Sequence, residues 1–167
     1  MANAAWDTLS TRITSGAVIT KYGHSRGPIG PLQIFEAGHP VPDEAGLRAA
    51  QAALELTRGL REEDCVLFLI SGGGSALFES PLVPLAELED ITGQLLSCGA
   101  DIVEINTIRK RLSAVKGGRF ALHCRPASVF SVVLSDIIGD PLDMIASGPA
   151  APDSSTCAEA LAIAQKY

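Results

Sequence analysis

The chain has 167 residues, 47% hydrophobic and 19% charged, with a formal net charge of −6. That balance excludes a disordered chain, and the acidic excess excludes a general nucleic-acid binder, which carries a broad basic surface. No apolar run approaches membrane-spanning length and no secretory leader pattern precedes the first strand, so no membrane partner is expected and the cytoplasm is the expected compartment.

The length fits one domain, residues 1–167, with room for a substantial core. A mean hydropathy of +0.25 is high for a soluble monomer. It suggests surfaces meant for burial, which a homo-oligomer is one way of covering. Cys65, Cys98, Cys124 and Cys157 show no metal or redox spacing. Buried, reduced thiols are expected, Cys65 opening a strand and Cys98 ending a helix.

Residues 17–20 and 32–35 read as short strands joined by a Gly/Pro-containing loop over 22–31. Residues 43–58 are alanine- and leucine-rich and helical, stopping at Gly59. Six apolar residues, 65–70, then form a strand expected to be buried on both faces. Directly after it comes Ser71-Gly72-Gly73-Gly74-Ser75. Three glycines let backbone N–H groups approach a ligand closely, so the loop is either a plain turn or an anion site. It is neither a Walker A loop nor Gly-x-Gly-x-x-Gly.

Leu85, Leu88, Ile91, Leu95 and Leu96 recur at helical spacing between Pro84 and Gly99. The next helix starts at Asp101, with Glu104 completing a capping box. Helical spacing puts Ile105, Ile108, Leu112 and Val115 on one face, and Asn106, Arg109, Lys110, Ser113 and Lys116 on the opposite, outer one. No Asp or Glu lies between Asn106 and Arg119 to pair with these cations. The face is therefore either a solvated surface or a site for an anionic partner.

Residues 129–134 read as another buried strand, and Ser154 or Ser155 is placed to cap a last helix. Asp136, just beyond that strand, suits either Mg²⁺ or proton acceptance, or simply caps the next turn. His39, between Gly38 and Pro40, either orients a substrate or stabilises its own loop; His24 and His123 make no metal set with it. Strands separated by helices predict an α/β, Rossmann-like layered fold with a mainly parallel sheet flanked by helices.

Five ordered motifs carry a family resemblance: residues 36–43 (Glu-Ala-Gly-His-Pro-Val-Pro-Asp), 71–76, 106–118, 135–140 and Ala146-Ser147-Gly148-Pro149. Together they resemble the ATP-dependent glycerate 2-kinases, proteins often named hydroxypyruvate reductases, whose chains normally carry a C-terminal MOFRL domain. The resemblance spans nearly the whole chain. It lacks the family's upstream Gly-Lys segment and downstream region, so a piece of the N-terminal part of a longer enzyme is expected.

The resemblance implies phosphoryl transfer from ATP, with Mg²⁺, to the 2-hydroxyl of D-glycerate. On that reading Asp136, Arg109 and Lys116 are catalytic. Ser71, Gly72, Gly73, Gly74, Ser75, Asn106, Lys110 and His39 bind substrate or phosphate, and Asp136 and Asp140 hold the metal. Arg109 is suited to a bidentate grip on carboxylate or phosphate, Lys116 to a point charge near phosphate. Two alternatives stand beside it: an NAD(P)H-dependent hydroxypyruvate reductase, disfavoured by the missing dinucleotide fingerprint, and a non-catalytic anion-binding lobe.

Overall fold

A computed structural model describes residues 1–135 and 138–167. The chain opens with helix α1 (Ala2–Leu9), then strands β1 (Gly16–Lys21) and β2 (Leu32–Ala37) and helix α2 (Glu44–Leu56). Strand β3 (Cys65–Ile70) leads into the short helix α3 (Gly74–Leu77), then α4 (Leu85–Ser97), α5 (Ile102–Arg111) and α6 (Arg119–His123). Strand β4 (Ser128–Val133) and helix α7 (Cys157–Lys166) complete the order. The α/β architecture with parallel strands and flanking helices is as expected. The described strands, however, form two parallel pairs, β1–β2 and β3–β4, in place of one continuous sheet.

One core ties the pairs together. Ala50, Phe78, Val115, Phe120 and Cys124 are buried at its centre, with Ile19 of β1, Val66 and Phe68 of β3 and Val129 of β4 packed around them. The rings of Phe68, Phe78 and Phe120 meet in a triangle with centroids 4.7–5.6 Å apart, a tilted geometry that suits aromatic quadrupoles. Helix α2 lies against β1 and β2 on small residues: Gly46, Ala49 and Ala50 are buried. Its start is fixed by Asp43, whose carboxylate accepts from the Gly46 N–H at 2.8 Å. A second cluster, Leu95, Ala100 and Ile105, joins α4 to α5, with Ile163 of α7 against it.

Three sequence expectations need correction. Strands β3 and β4 are covered on one face only: Leu67, Phe130 and Val132 point outward and stay exposed. Alternation had been hidden because the outward positions are as apolar as the inward ones. Cys65 and Cys98 are likewise exposed, while Cys124 alone of the four cysteines is buried. The last helix is capped by Thr156, not Ser154 or Ser155, in a capping box with Glu159; those serines serve Asp143 and Asp153 instead. The capping box at Asp101 and Glu104 forms as expected.

Candidate functional site

The strand β3 empties into a cavity of about 230 Å³. Its floor is the loop Ser71–Gly74 with Ser75; Asn106 and Arg109 reach in from α5, and Ile102, Leu134, Met144, Ile145 and Ala146 supply apolar walls. Glycine is required at two loop positions. Gly73 has φ +90°, and a Cβ there would lie 2.8 Å from the His39 ring; on Gly74 it would lie 2.8 Å from the Ala146 side chain. Among the described residues, no acceptor meets the backbone N–H groups of Gly72, Gly73, Gly74 or Ser75. A turn of this shape with unspent donors holds anions.

Arg109 is the sole ionisable side chain among the described residues of the lining. Its Nη2 donates to the Ser75 carbonyl oxygen at 3.2 Å and lies 3.5 Å from Glu79 Oε2. Its Nε is buried and has no partner. A buried guanidinium nitrogen without an acceptor is costly. Among the described residues the cavity thus offers amides without acceptors and a cation, and no carboxylate.

Lys116 lies beneath this floor and not in the cavity. It is wholly buried, and its Nζ donates to the carbonyl oxygens of Ser75 (2.9 Å) and Phe78 (3.3 Å) and lies 3.4 Å from Glu79 Oε2. Burial pulls its ammonium pKa down to about 8; Glu79 opposes that shift, and Arg109 adds to it. Lys110 is also taken up within the protein, 3.3 Å from Asp143 Oδ2 and 3.1 Å from Asp153 Oδ1. Arg111 Nη2 lies 2.9 Å from Asp153 Oδ2 and donates to the Ser155 carbonyl at 2.6 Å. The Ser154 hydroxyl, together with Lys110, holds the Asp143 carboxyl below its ordinary pKa. Burial raises that of Asp153, but hydrogen bonds from Ser155 and Lys110 prevail and lower it.

The outer cationic face read from helical spacing is therefore an inner one. Asn106, Lys110, Ser113 and Lys116 are all buried, and α5 ends at Arg111, so Ser113 and Lys116 sit on the turns beyond it. Sequence reasoning missed the acids that neutralise this face, because Glu79, Asp143 and Asp153 arrive from distant segments. The tight turn that Ser147-Gly148-Pro149 suggests is present, and Ala146 and Ser147 in it have left-handed φ values of +53° and +60°. Ser147 is buried and its hydroxyl donates to Asn106 Oδ1 at 3.2 Å.

The remaining sequence candidates are placed as follows. His39 is exposed, its ring against Gly73 at the cavity's rim. Asp140 is exposed on a turn with φ +48° and does not line the cavity. Asp136 lies outside the described residues. Among the described residues there is no group of three His, Cys, Asp or Glu placed to hold a metal ion, and no helix long and apolar enough to cross a membrane.

Residues 1–167 match the model of a family described as domain of unknown function DUF4147. The chain belongs to that family. It is 57% identical to a D-glycerate 2-kinase of Thermotoga maritima, over 100% of this chain and 40% of that protein. A glycerate 2-kinase of Pyrococcus horikoshii is 43% identical over 100% of this chain and 38% of its own length. The crystal structure of the Thermotoga maritima glycerate kinase superposes with a TM-score of 0.98, covering 100% of this chain and 41% of that one. The five-motif resemblance to the glycerate 2-kinases is thus borne out, and this DUF4147 chain spans about two fifths of the length of the relatives it matches.

Proposed function

We propose that this chain is the part of an ATP-dependent glycerate 2-kinase that grips the carboxylate of D-glycerate. The observation that carries the reading is Arg109, the one ionisable side chain among the described lining residues, set in a cavity where the described loop amides meet no acceptor. A cavity of about 230 Å³ is below the roughly 300–1,000 Å³ of ordinary small-molecule sites. It suits a three-carbon acid better than a nucleotide, so the loop is assigned to substrate and ATP to a surface outside it. Arg109 and the amides of Gly72–Ser75 hold the carboxylate, while Asn106 and Ser71 are within the lining to meet hydroxyl groups.

Fixing the acid in this way orients its 2-hydroxyl for in-line attack on the γ-phosphorus of ATP. His39 at the rim is the described side chain placed to orient that hydroxyl. Magnesium commonly needs only one or two protein carboxylates, and Asp140 with Asp136 is the pair assigned to it. When bound, it would neutralise charge on the phosphates. Lys110 and Lys116 act through Asp143, Asp153 and Glu79 and not on the ligand. A cytoplasmic protein of one α/β domain, able to self-associate, completes the reading.

A phosphorus NMR time course with Mg²⁺, ATP and D-glycerate tests it. Phosphoglycerate appearing together with ADP is the expected result for a full-length relative carrying this sequence. Intact ATP in that sample would overturn the kinase reading. One observation favours a second reading for the 167 residues by themselves: spanning about two fifths of their relatives, they would bind glycerate without turning it over. Calorimetric glycerate binding by a chain that leaves ATP intact would support it.

A further inference from the structure

The carboxylate-grip reading leaves one fully buried charge unused. Glu79 is 0% exposed, beneath the glycine loop. Its Oε1 accepts from the Ser113 hydroxyl and from the Ser80 N–H at 3.0 Å. Its Oε2 lies 3.4 Å from Lys116 Nζ and 3.5 Å from Arg109 Nη2, with no well-aligned hydrogen bond. Its Oε2 is therefore the shared ion-pair partner of both cations. Buried ion networks are often no more stabilising than a packed apolar cluster. Stability alone is thus a weak reason for this one.

The geometry points to a specific use. Arg109 Nη2 is turned inward, toward Glu79 and the Ser75 carbonyl oxygen, while Nε is left without a partner. Lys116 holds the same Ser75 carbonyl from below. We propose that Glu79 is a positioning residue: seated by Ser113 and Lys116, it holds Arg109 Nη2 against the loop and so fixes the guanidinium where it lines the cavity and meets the substrate carboxylate. This rests on the reading of the cavity as a carboxylate site. Released from Glu79, the guanidinium could fold back onto the loop carbonyls, and the grip would be lost without any change in the cavity lining.

The test is steady-state kinetics of the full-length polypeptide, with separate KM values for D-glycerate and ATP. The variants are Arg109→Lys, Ser113→Ala, Glu79→Gln and the double Glu79→Gln/Lys116→Met. Loss of the ion pair that seats Arg109 predicts that Glu79→Gln raises the glycerate KM roughly tenfold, misplacement of the guanidinium outweighing the added positive charge, and leaves the ATP KM unchanged. Ser113→Ala, which removes one hydroxyl, shifts the glycerate KM the same way by less. The double variant leaves one fewer buried orphan charge, so it keeps a folded protein in hand if Glu79→Gln does not fold, and it too raises the glycerate KM. A wild-type glycerate KM in the folded double variant or in Ser113→Ala overturns the proposal, as does an equal rise in both KM values. A wild-type glycerate KM in Arg109→Lys overturns the carboxylate reading itself, so the two failures are told apart.

Discussion

Two ionic networks flank helix α5, and they differ in their charge balance. On one side Lys110 and Arg111 meet two carboxylates, Asp143 and Asp153. On the other, Arg109 and Lys116 share one, Glu79. The first network is balanced and pins α5 to residues 143–155. The second keeps an excess positive charge next to the cavity, in a low-dielectric setting where it is felt strongly. Consecutive residues of one helix thus stand in a balanced and an unbalanced network, and the number of described acids facing each decides which.

The comparison can be broken most forcefully at Glu79. Glu79→Leu leaves two buried cations with no counter-charge and should cost about 3–5 kcal/mol, read by urea denaturation. Asp153→Asn should cost about 2 kcal/mol because Asp143 still faces Lys110, and glycerate affinity should stay as it was. A loss of affinity there would mean the balanced network also reaches the ligand. Arg109→Lys removes the planar fork and should weaken glycerate binding by about 1.4 kcal/mol, a tenfold rise in Kd by calorimetry, with little change in stability.

The smallest effect is a pH dependence. As pH rises through about 8, Lys116 loses its proton; Glu79 is then left to Arg109 alone, the excess charge disappears, and glycerate binding should weaken. Stability moves the other way. The folded-state pKa lies below the unfolded one, so the unfolded chain holds more protons between about pH 8 and 10.5. This lysine's contribution therefore makes stability rise with pH across that window. Both trends should vanish in Lys116→Met.

Much of the frame was legible because local rules govern it. The strand at Cys65–Ile70, the Asp101 capping box and the glycine loop follow from apolar runs, cap chemistry and backbone freedom. Arg109 and Asn106 were found because a helix face is a local pattern, and the structure does bring both to the loop. The sense of that face was misread because its neutralising acids lie 30 or more positions away. Helical periodicity says which residues share a side and cannot say whether that side meets water or buried carboxylates. Glu79 itself sits between Phe78 and Ser80 with no pattern to mark it. At Ala146 and Ser147 the Ser-Gly-Pro motif marks a tight turn, but alanine carries no signal for the φ above zero found there.

The register of the β3–β4 pair sets Cys65 opposite Ser128 and Ile70 opposite Val133. On a ribosome adding about 5–20 residues per second, the first strand waits several seconds for its partner. During that interval the glycine loop has β3 behind it but lacks β4, Ala146 and the Asp143–Asp153 clasp. The glycine loop is therefore among the later parts of this chain to be enclosed during synthesis, and a stalled or prematurely released chain would carry the complete motif without the cavity around it.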